Sequence, residues 1–205
     1  MGTLIVTMMT TLDGVAQAPG GQDEDTRGGF QLGGWTFPYV DEDGGKTLIG
    51  WFSTAEAFLL GHHTYDIFAA YWPNAEPGDP VADALNTLPK HVAVGAEQDL
   101  GWSNVIAEVG DLAEIVARLK RQYDGEIQVH GSIELVHALH NLDLIDEYRI
   151  WTFPLVVGSG ARLFPGGTTP RAFELVTTTS TASGVIASVY RPAGEVRTGT
   201  LGARS

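Results

Sequence analysis

Residues 126–142 read EIQVHGSIELVHALHNL, and the change of period inside them decides the fold class. Glu126–His130 is short, largely apolar and bounded by glycines, which marks a buried strand. After Gly131-Ser132 the apolar residues Leu135, Val136, Leu139 and Leu142 recur at helical spacing. The chain therefore passes from strand to helix through a single glycine. Residues 57–71, AFLLGHHTYDIFAAY, repeat the arrangement, with Ala57–Gly61 as strand and Thr64–Tyr71 as a helix stopped by Trp72-Pro73. Strands that alternate with helices in this way argue a parallel sheet covered by helices.

Outward from these two units the same alternation continues. Thr3–Met9 (TLIVTMM) reads as a buried strand that ends at the turn signal Leu12-Asp13-Gly14. Val15–Gly34 is rich in glycine, carries Asp23, Glu24 and Asp25, and reads as a long loop of the functional kind. Leu48, Trp51, Phe52 and Ala55 predict a helix within 43–57. Asn74–Asp83, with its prolines, glycine and acids, reads as a second surface loop. Strands are predicted at His91–Val94 and Asn104–Glu108. Asp111 is a candidate N-cap for a helix with Leu112, Ile115, Val116, Leu119 and Tyr123 inward and Gly125 as its stop. Glu147–Val157 reads as a strand, and Glu174–Thr181 with Gly184–Arg191 as a closing hairpin. The predicted class is α/β, a mostly parallel sheet with an antiparallel C-terminal edge. One domain over 1–192 is expected, followed by a small, polar, flexible tail over 193–205.

Composition narrows the function. The chain has 205 residues and a net charge of −13, which disfavours nonspecific nucleic-acid binding. It has no cysteine, which removes disulfides, thiolate zinc sites and cysteine nucleophiles. Its apolar runs are far shorter than the roughly 20 residues of a membrane span, and no basic residue precedes the first of them. The expectation is a soluble, cytoplasmic protein acting on a small-molecule substrate.

The chemistry points to the two strand–helix junctions. A helix start offers free N–H groups and the positive end of the dipole, and a glycine there lets a phosphate approach the backbone. Thr64 and Ser132 add hydroxyls, and His62 and His63 add donors that a phosphate can charge. A tight turn with Thr64 and Ser132 as caps explains either junction alone; the pair together suggests a nucleotide diphosphate site. Other candidates are weaker. Gly158-Ser-Gly160-Ala-Arg162 lacks a third glycine and a following helix, so it is no dinucleotide fingerprint. Asp41-Glu-Asp43-Gly-Gly begins like a calcium loop but has Phe52 at its twelfth position. His137 and His140 lack a third ligand nearby and read as a solvated helix face, so no metal is expected. Trp35 and Trp51 read as core, although Trp35 lies in the glycine-rich loop.

Taken in order, Thr11-Leu-Asp13-Gly14, Gly29–Trp35 with Pro38-Tyr-Val-Asp41, Leu60-Gly61-His-His-Thr64-Tyr65, Val129-His-Gly131-Ser132, Leu144–Arg149 and Pro154–Phe164 form a specific series. The series resembles the dihydrofolate reductase-like family, typified by the reductase domain of the bifunctional riboflavin-biosynthesis deaminase–reductase. That resemblance implies a three-layer dihydrofolate reductase-like fold. It implies an NADPH-dependent reductase, with NADH possible, like 5-amino-6-(5-phosphoribosylamino)uracil reductase, often a homodimer. It places Gly61, His62, His63 and Thr64 at the cofactor phosphates, with Gly131 and Ser132 at the second phosphate junction. It sets Asp13 and Gly14 beside the nicotinamide, and Gly158 and Gly160 on the substrate side, where Trp35 is a further candidate. Asp13 and Asp41 are the candidate proton donors. The chain departs from the family pattern at His62, where an Arg is usual, and at Gly95-Ala96, where a polar pair is usual. Neither departure supplies a bidentate cation for a 2′-phosphate. A protein of the same fold that binds a nucleotide or small ligand without turnover is the alternative reading. The apolar hairpin at Glu174–Arg191 is the expected dimer edge.

Overall fold

β1, Thr3–Thr11, lies near the middle of an eight-stranded sheet in a computed structural model that describes residues 1–200. Its residues are buried on both faces because parallel neighbours flank it, β5 (Glu126–His130) and β6 (Glu147–Phe153). The sheet continues through β2 (Ala55–Gly61), β3 (Lys90–Ala93) and β4 (Val105–Glu108) on one side. On the other side β8 (Ile186–Pro192) runs antiparallel to β6, and β7 (Phe173–Ser180) closes the edge antiparallel to β8. The full order is β4-β3-β2-β5-β1-β6-β8-β7.

Period-2 alternation sends the strand side chains into cores on the two faces of the sheet. Leu4, Val6, Leu59, Ile127 and Val129 pack with Ile115, Val116 and Leu119 of α4 (Leu112–Gln122) and Leu135, Val136 and Leu139 of α5 (Ile133–Asn141). Phe58, Leu60 and Val92 face the opposite way, onto Phe52 of α1 (Glu42–Phe52), Tyr65 of α2 (His62–Tyr71) and Val81 and Leu85 of α3 (Pro80–Thr87). The result is the expected three-layer α/β fold. No helix among the described residues is long and apolar enough to cross a membrane.

Four local differences from the sequence reading have physical causes. The predicted loop 74–83 ends in α3, because Asp79 accepts from the Val81 and Ala82 amides and Pro80 fills the first helical position, where no N–H is needed. β6 stops at Phe153 because Pro154 has no N–H to continue the ladder. His137 and His140 do not form a solvated face. His137 Nε2 meets the Leu163 carbonyl, and the buried His140 bridges the Tyr148 hydroxyl and the Thr169 carbonyl. No cluster among the described residues could hold a metal ion. In the expected tail, Ala193 and Gly194 still pair with Ala172, and residues 201–205 lie outside the described part.

Candidate active site

The two strand–helix junctions stand side by side because β2 pairs with β5. Their contact is tight. A Cβ on Gly61 would sit 1.9 Å from Ser132 Oγ and 2.8 Å from its Cβ, so position 61 must be glycine if Ser132 stays. Gly61→Ala is expected to cost about 1–3 kcal/mol as overpacking. Thermal unfolding should show the loss, and a Gly61→Ala/Ser132→Gly pair should recover most of it. An additive pair would assign the loss to something other than this contact.

These junctions differ from the other helix starts. Among the described α-helices, α1, α3 and α4 are capped by the carboxylates of Asp41, Asp79 and Asp111. The starts of α2 and α5, at Gly61 and Ser132, have no side-chain cap. Ser132 itself adopts φ 60°, directly after Gly131 at φ 79°, so two left-handed residues in succession shape the second junction. Thr64 is buried inside α2, its methyl about 3.5 Å from where a Gly131 Cβ would lie, and it does not cap the helix. The capping roles open to Thr64 and Ser132 in the sequence are therefore filled by neither.

A cavity of about 240 Å³ opens in front of both junctions. Its apolar wall includes Met8, Met9, Leu48, Phe52 and Phe68. Of the expected cofactor residues, His63, Thr64, Gly131 and Ser132 line it. Gly61 lies beneath, against Ser132, and His62 points away from the cavity, exposed and 3.2 Å from the Gln98 amide. Two buried polar atoms on this cavity have no hydrogen-bond partner, Thr7 Oγ1 and His63 Nε2. His63 Nε2 lies 3.6 Å from Asp25 Oδ2.

The glycine-rich loop supplies the acidic side. Glu24 lines the cavity and accepts from the Gly20 amide at 2.5 Å, and burial pushes its pKa up. Asp25 does the opposite. The Arg27 guanidinium grips it through Nε and Nη2 at 2.9 and 2.7 Å and holds its carboxyl at about 2. Arg27 Nη1 also reaches Glu134 on α5 at 2.9 Å, so the loop is strapped across the cavity to the helix start. A second cavity of about 470 Å³ shares Gln17, Asp25, Arg27 and Glu134 with the first and is bounded beyond them by Ser159 and Gly160.

The two carboxylates chosen from sequence as proton donors are occupied elsewhere. Asp13 accepts from Thr11 Oγ1 at 2.6 Å and from the Gly158 and Val157 amides, and these bonds lower its pKa. Asp41 caps α1 through the Gly44 amide and takes the Ser183 amide at 2.8 Å, which holds it at about 2. Neither lines the cavity in front of the two junctions. Trp35 is 6% exposed, donates its indole N–H to the Gln17 carbonyl and packs edge-on against Phe153, so it belongs to the core. Gly158 serves the Asp13 turn, while Gly160 lines the second cavity at φ 114° with Val15 and Phe30 where its Cβ would be. The sequence reading missed Thr7, Glu24 and His130 as cavity residues. The one signal available was the acidic run 23–25 inside a glycine-rich loop.

Among solved structures, a Shewanella sp. PV-4 protein named for riboflavin biosynthesis superposes with a TM-score of 0.70 at 19% identity, covering 93% of this chain and 98% of that one. Dihydrofolate reductase from Enterococcus faecalis, complexed with NADP(H), superposes with a TM-score of 0.60 at 15% identity over 93% and 96%. The deaminase/5-amino-6-(5-phosphoribosylamino)uracil reductase of Thermotoga maritima gives 0.63 at 13% identity, with 94% of this chain lying on 57% of that one. These likenesses establish a dihydrofolate reductase-like fold. An uncharacterized Bacillus subtilis protein, YyaP, is 25% identical over 190 residues, spanning 91% of this chain and 93% of its own. The model of the RibD C-terminal domain matches residues 2–187, nearly the whole chain, and the protein therefore belongs to that reductase-like family.

Proposed function

We propose that the protein is a nicotinamide-nucleotide-dependent reductase that delivers hydride to a small heterocyclic or ribosyl-type substrate. One observation carries this reading: two helix N-termini without side-chain caps converge on the mouth of one apolar cavity. Free helix-start N–H groups suit phosphate groups, and an apolar cavity suits a nicotinamide ring. Gly131 and Ser132 would hold one phosphate, and His63 and Thr64 at the start of α2 the other. When bound, the cofactor supplies the hydride from nicotinamide C4. The chain's own part is to exclude water with Met8, Leu48, Phe52 and Phe68 and to supply a proton to the reduced C=O or C=N bond. Glu24 takes that second role, because it is the cavity carboxyl whose burial favours the protonated form. The test is direct. NADPH or NADH should quench the fluorescence of the five tryptophans, and a trial carbonyl or imine substrate should be reduced as the nicotinamide is oxidised. Quenching with no oxidation across a broad substrate panel would favour a binding protein; no binding of either nucleotide would overturn the reading.

A relaxed choice between NADPH and NADH follows from the cations. Between Lys46 and Arg118 the sequence has one Lys or Arg, Lys90. That residue is fully buried and spends its ammonium on the Leu85 and Leu88 carbonyls. A 2′-phosphate near the exposed His62 would thus lack an arginine partner. His62→Arg is expected to tighten NADPH about tenfold to a hundredfold, through one charge-assisted contact of about 1.5–3 kcal/mol, and to leave NADH nearly unchanged. A wild-type NADPH preference above about a thousandfold would show that another group holds the 2′-phosphate.

A homodimer formed along the β7 edge is the expected assembly. Leu175, Val176 and Ile186 are exposed on this hairpin, and an uncovered apolar edge favours pairing. The charge of −13 opposes association but is screened beyond about 8 Å at physiological salt. Light scattering at micromolar protein should give twice the 21.9 kDa chain mass; a single chain mass would refute the dimer.

A further inference from the structure

The floor of the cavity holds two polar groups that the reading above leaves unused. Thr7 on β1 and His130 on β5 are register partners on neighbouring parallel strands, so their side chains stand on the same face. Both line the cavity, and both are more than nine-tenths buried, at 4% and 7% exposure. The Thr7 hydroxyl has no partner in the protein. A buried hydroxyl in that state is uncommon and needs a reason.

The proton on His130 can be placed from its neighbours. Gln128, fully buried, directs its amide nitrogen at the Trp51 carbonyl and at Glu126 Oε2, both at 2.6 Å. Two acceptors around one atom fix it as the donor nitrogen, so the other atom, Oε1, is the carbonyl. Oε1 lies 2.8 Å from His130 Nε2, which must then carry hydrogen. Burial, with Arg149 as the second cause, pushes the imidazole down to about 3, so the ring is neutral. Nδ1 is consequently a bare lone pair, and it makes no hydrogen bond to any described residue. The ring is held in plane by stacking on Phe52 at 4.1 Å and by the edge contact with Phe58.

We propose that Thr7 and His130 read the polar edge of the ring bound in the cavity: His130 Nδ1 accepts an N–H from that ring, and the Thr7 hydroxyl bonds the polar atom beside it. The ligand class is a flat, uncharged group with an amide-like edge, an N–H next to a C=O or a second N–H. This rests on the cavity being the ligand site of the proposed reductase. Such an edge exists both on a lactam-type heterocyclic substrate and on the carboxamide of a nicotinamide, and the two sources separate by titration.

The experiment uses the full chain labelled with ¹⁵N-histidine, with His130→Phe to assign the signal. In the free protein His130 should appear as the neutral Nε2–H form. Uracil, which has adjacent N–H and C=O groups, should shift the Nδ1 resonance, and 1,3-dimethyluracil, which has no N–H, should not. A shift with NADH and none with uracil assigns the edge to the nicotinamide carboxamide; the reverse assigns it to the substrate. Thr7→Val should raise the melting temperature, because it removes an unpartnered buried hydroxyl, yet weaken the ligand that moves His130 by about tenfold. A purely structural threonine would not give opposite signs. A His130 protonated on Nδ1, an Nδ1 signal that no probe moves, a uracil shift that the dimethylated ring reproduces, or unchanged affinity in Thr7→Val would each overturn the proposal. If NADH quenches tryptophan fluorescence while Nδ1 stays silent, the edge-reading pair fails and the reductase reading stands. If neither nucleotide binds, the reductase reading fails, and the uracil pair still tests the floor.

Discussion

Glu24→Gln is expected to lower kcat by about 10²–10⁴-fold while leaving nucleotide binding near the wild-type value. The substitution is conservative in shape. Glu24 Oε2 accepts the Gly20 amide at 2.5 Å, and a Gln carbonyl can keep that bond and the local turn. What disappears is the acidic proton. Reduction of C=O or C=N adds hydride to one atom and needs a proton on the other, and an amide does not deliver it on the catalytic timescale. The direction of the pH profile follows from the same residue. Burial raises the Glu24 pKa, so the protonated donor persists above the ordinary carboxylate range and is lost as pH rises through the raised value. The wild-type rate should therefore fall on the alkaline side of that pKa, and the fall should vanish in Glu24→Gln. Asp13 and Asp41 are expected to behave differently, because hydrogen bonds keep both ionised, from the Thr11 hydroxyl and then the Gly158 and Val157 amides at Asp13, and from the Gly44 and Ser183 amides at Asp41; their Asn variants should change stability more than the shape of the pH profile. Steady-state rates across pH decide the matter. A Glu24→Gln enzyme with an unchanged rate and an unchanged alkaline limb would mean that the proton comes from solvent or another group.

The second large effect is expected at Gly131. Gly131→Asp should weaken NADPH and NADH by about a hundredfold or more without unfolding the protein. A carboxylate about 4 Å from a phosphate is repelled by about 4 kcal/mol at a surface-like dielectric, which alone exceeds a hundredfold. The fold has room for the side chain, since a Cβ at this position meets nothing nearer than Thr64 Cγ2 at 3.5 Å. The cost to the fold is the left-handed φ of 79°, about 1–2 kcal/mol for an L-residue and less for Asp or Asn. Gly131→Asn separates the two effects, for it carries the same bulk and the same strain without the charge. Asn should keep most of the affinity that Asp loses. Equal losses would make the site steric rather than electrostatic, and a Gly131→Asp protein that binds as wild type does would remove the phosphate from this junction. Melting curves of both variants, run beside the titrations, exclude global unfolding as the cause.

Legibility in the sequence followed the range of the interactions. Strand β5 and helix α5 were readable from EIQVHGSIELVHALHNL because each is specified by a period of two or 3.6 residues within a few positions. The cap of α4 at Asp111 was readable for the same reason: its carboxylate bonds an amide three residues on. Two strand–glycine–helix units were enough for a parallel sheet, and the pairing of β2 with β5, which the sequence did not give, brought the junctions together. Helix α3 was missed although its signals, Asp79 and Pro80, are local, since proline reads equally as loop and as helix start.

The site's carboxylates were a different kind of question. Asp13 and Asp41 each have one local partner, the Thr11 hydroxyl and the Gly44 amide, but their remaining bonds come from amides at Gly158 and Ser183, more than 140 positions away in the chain. Whether Glu24 was buried depended on how the loop 14–34 lies over the sheet and is tied to α5 by Arg27 and Glu134. The tautomer of His130 depended on Gln128, whose own amide is oriented by Trp51 from a different element. By itself the sequence determined most of the elements, their order and the two strand–glycine–helix junctions, all properties of contiguous backbone. Tertiary structure decided which acids are spent on backbone N–H groups and which face the cavity, because a side chain's protonation and partners are set by its neighbours in space, and those neighbours come from distant parts of the chain.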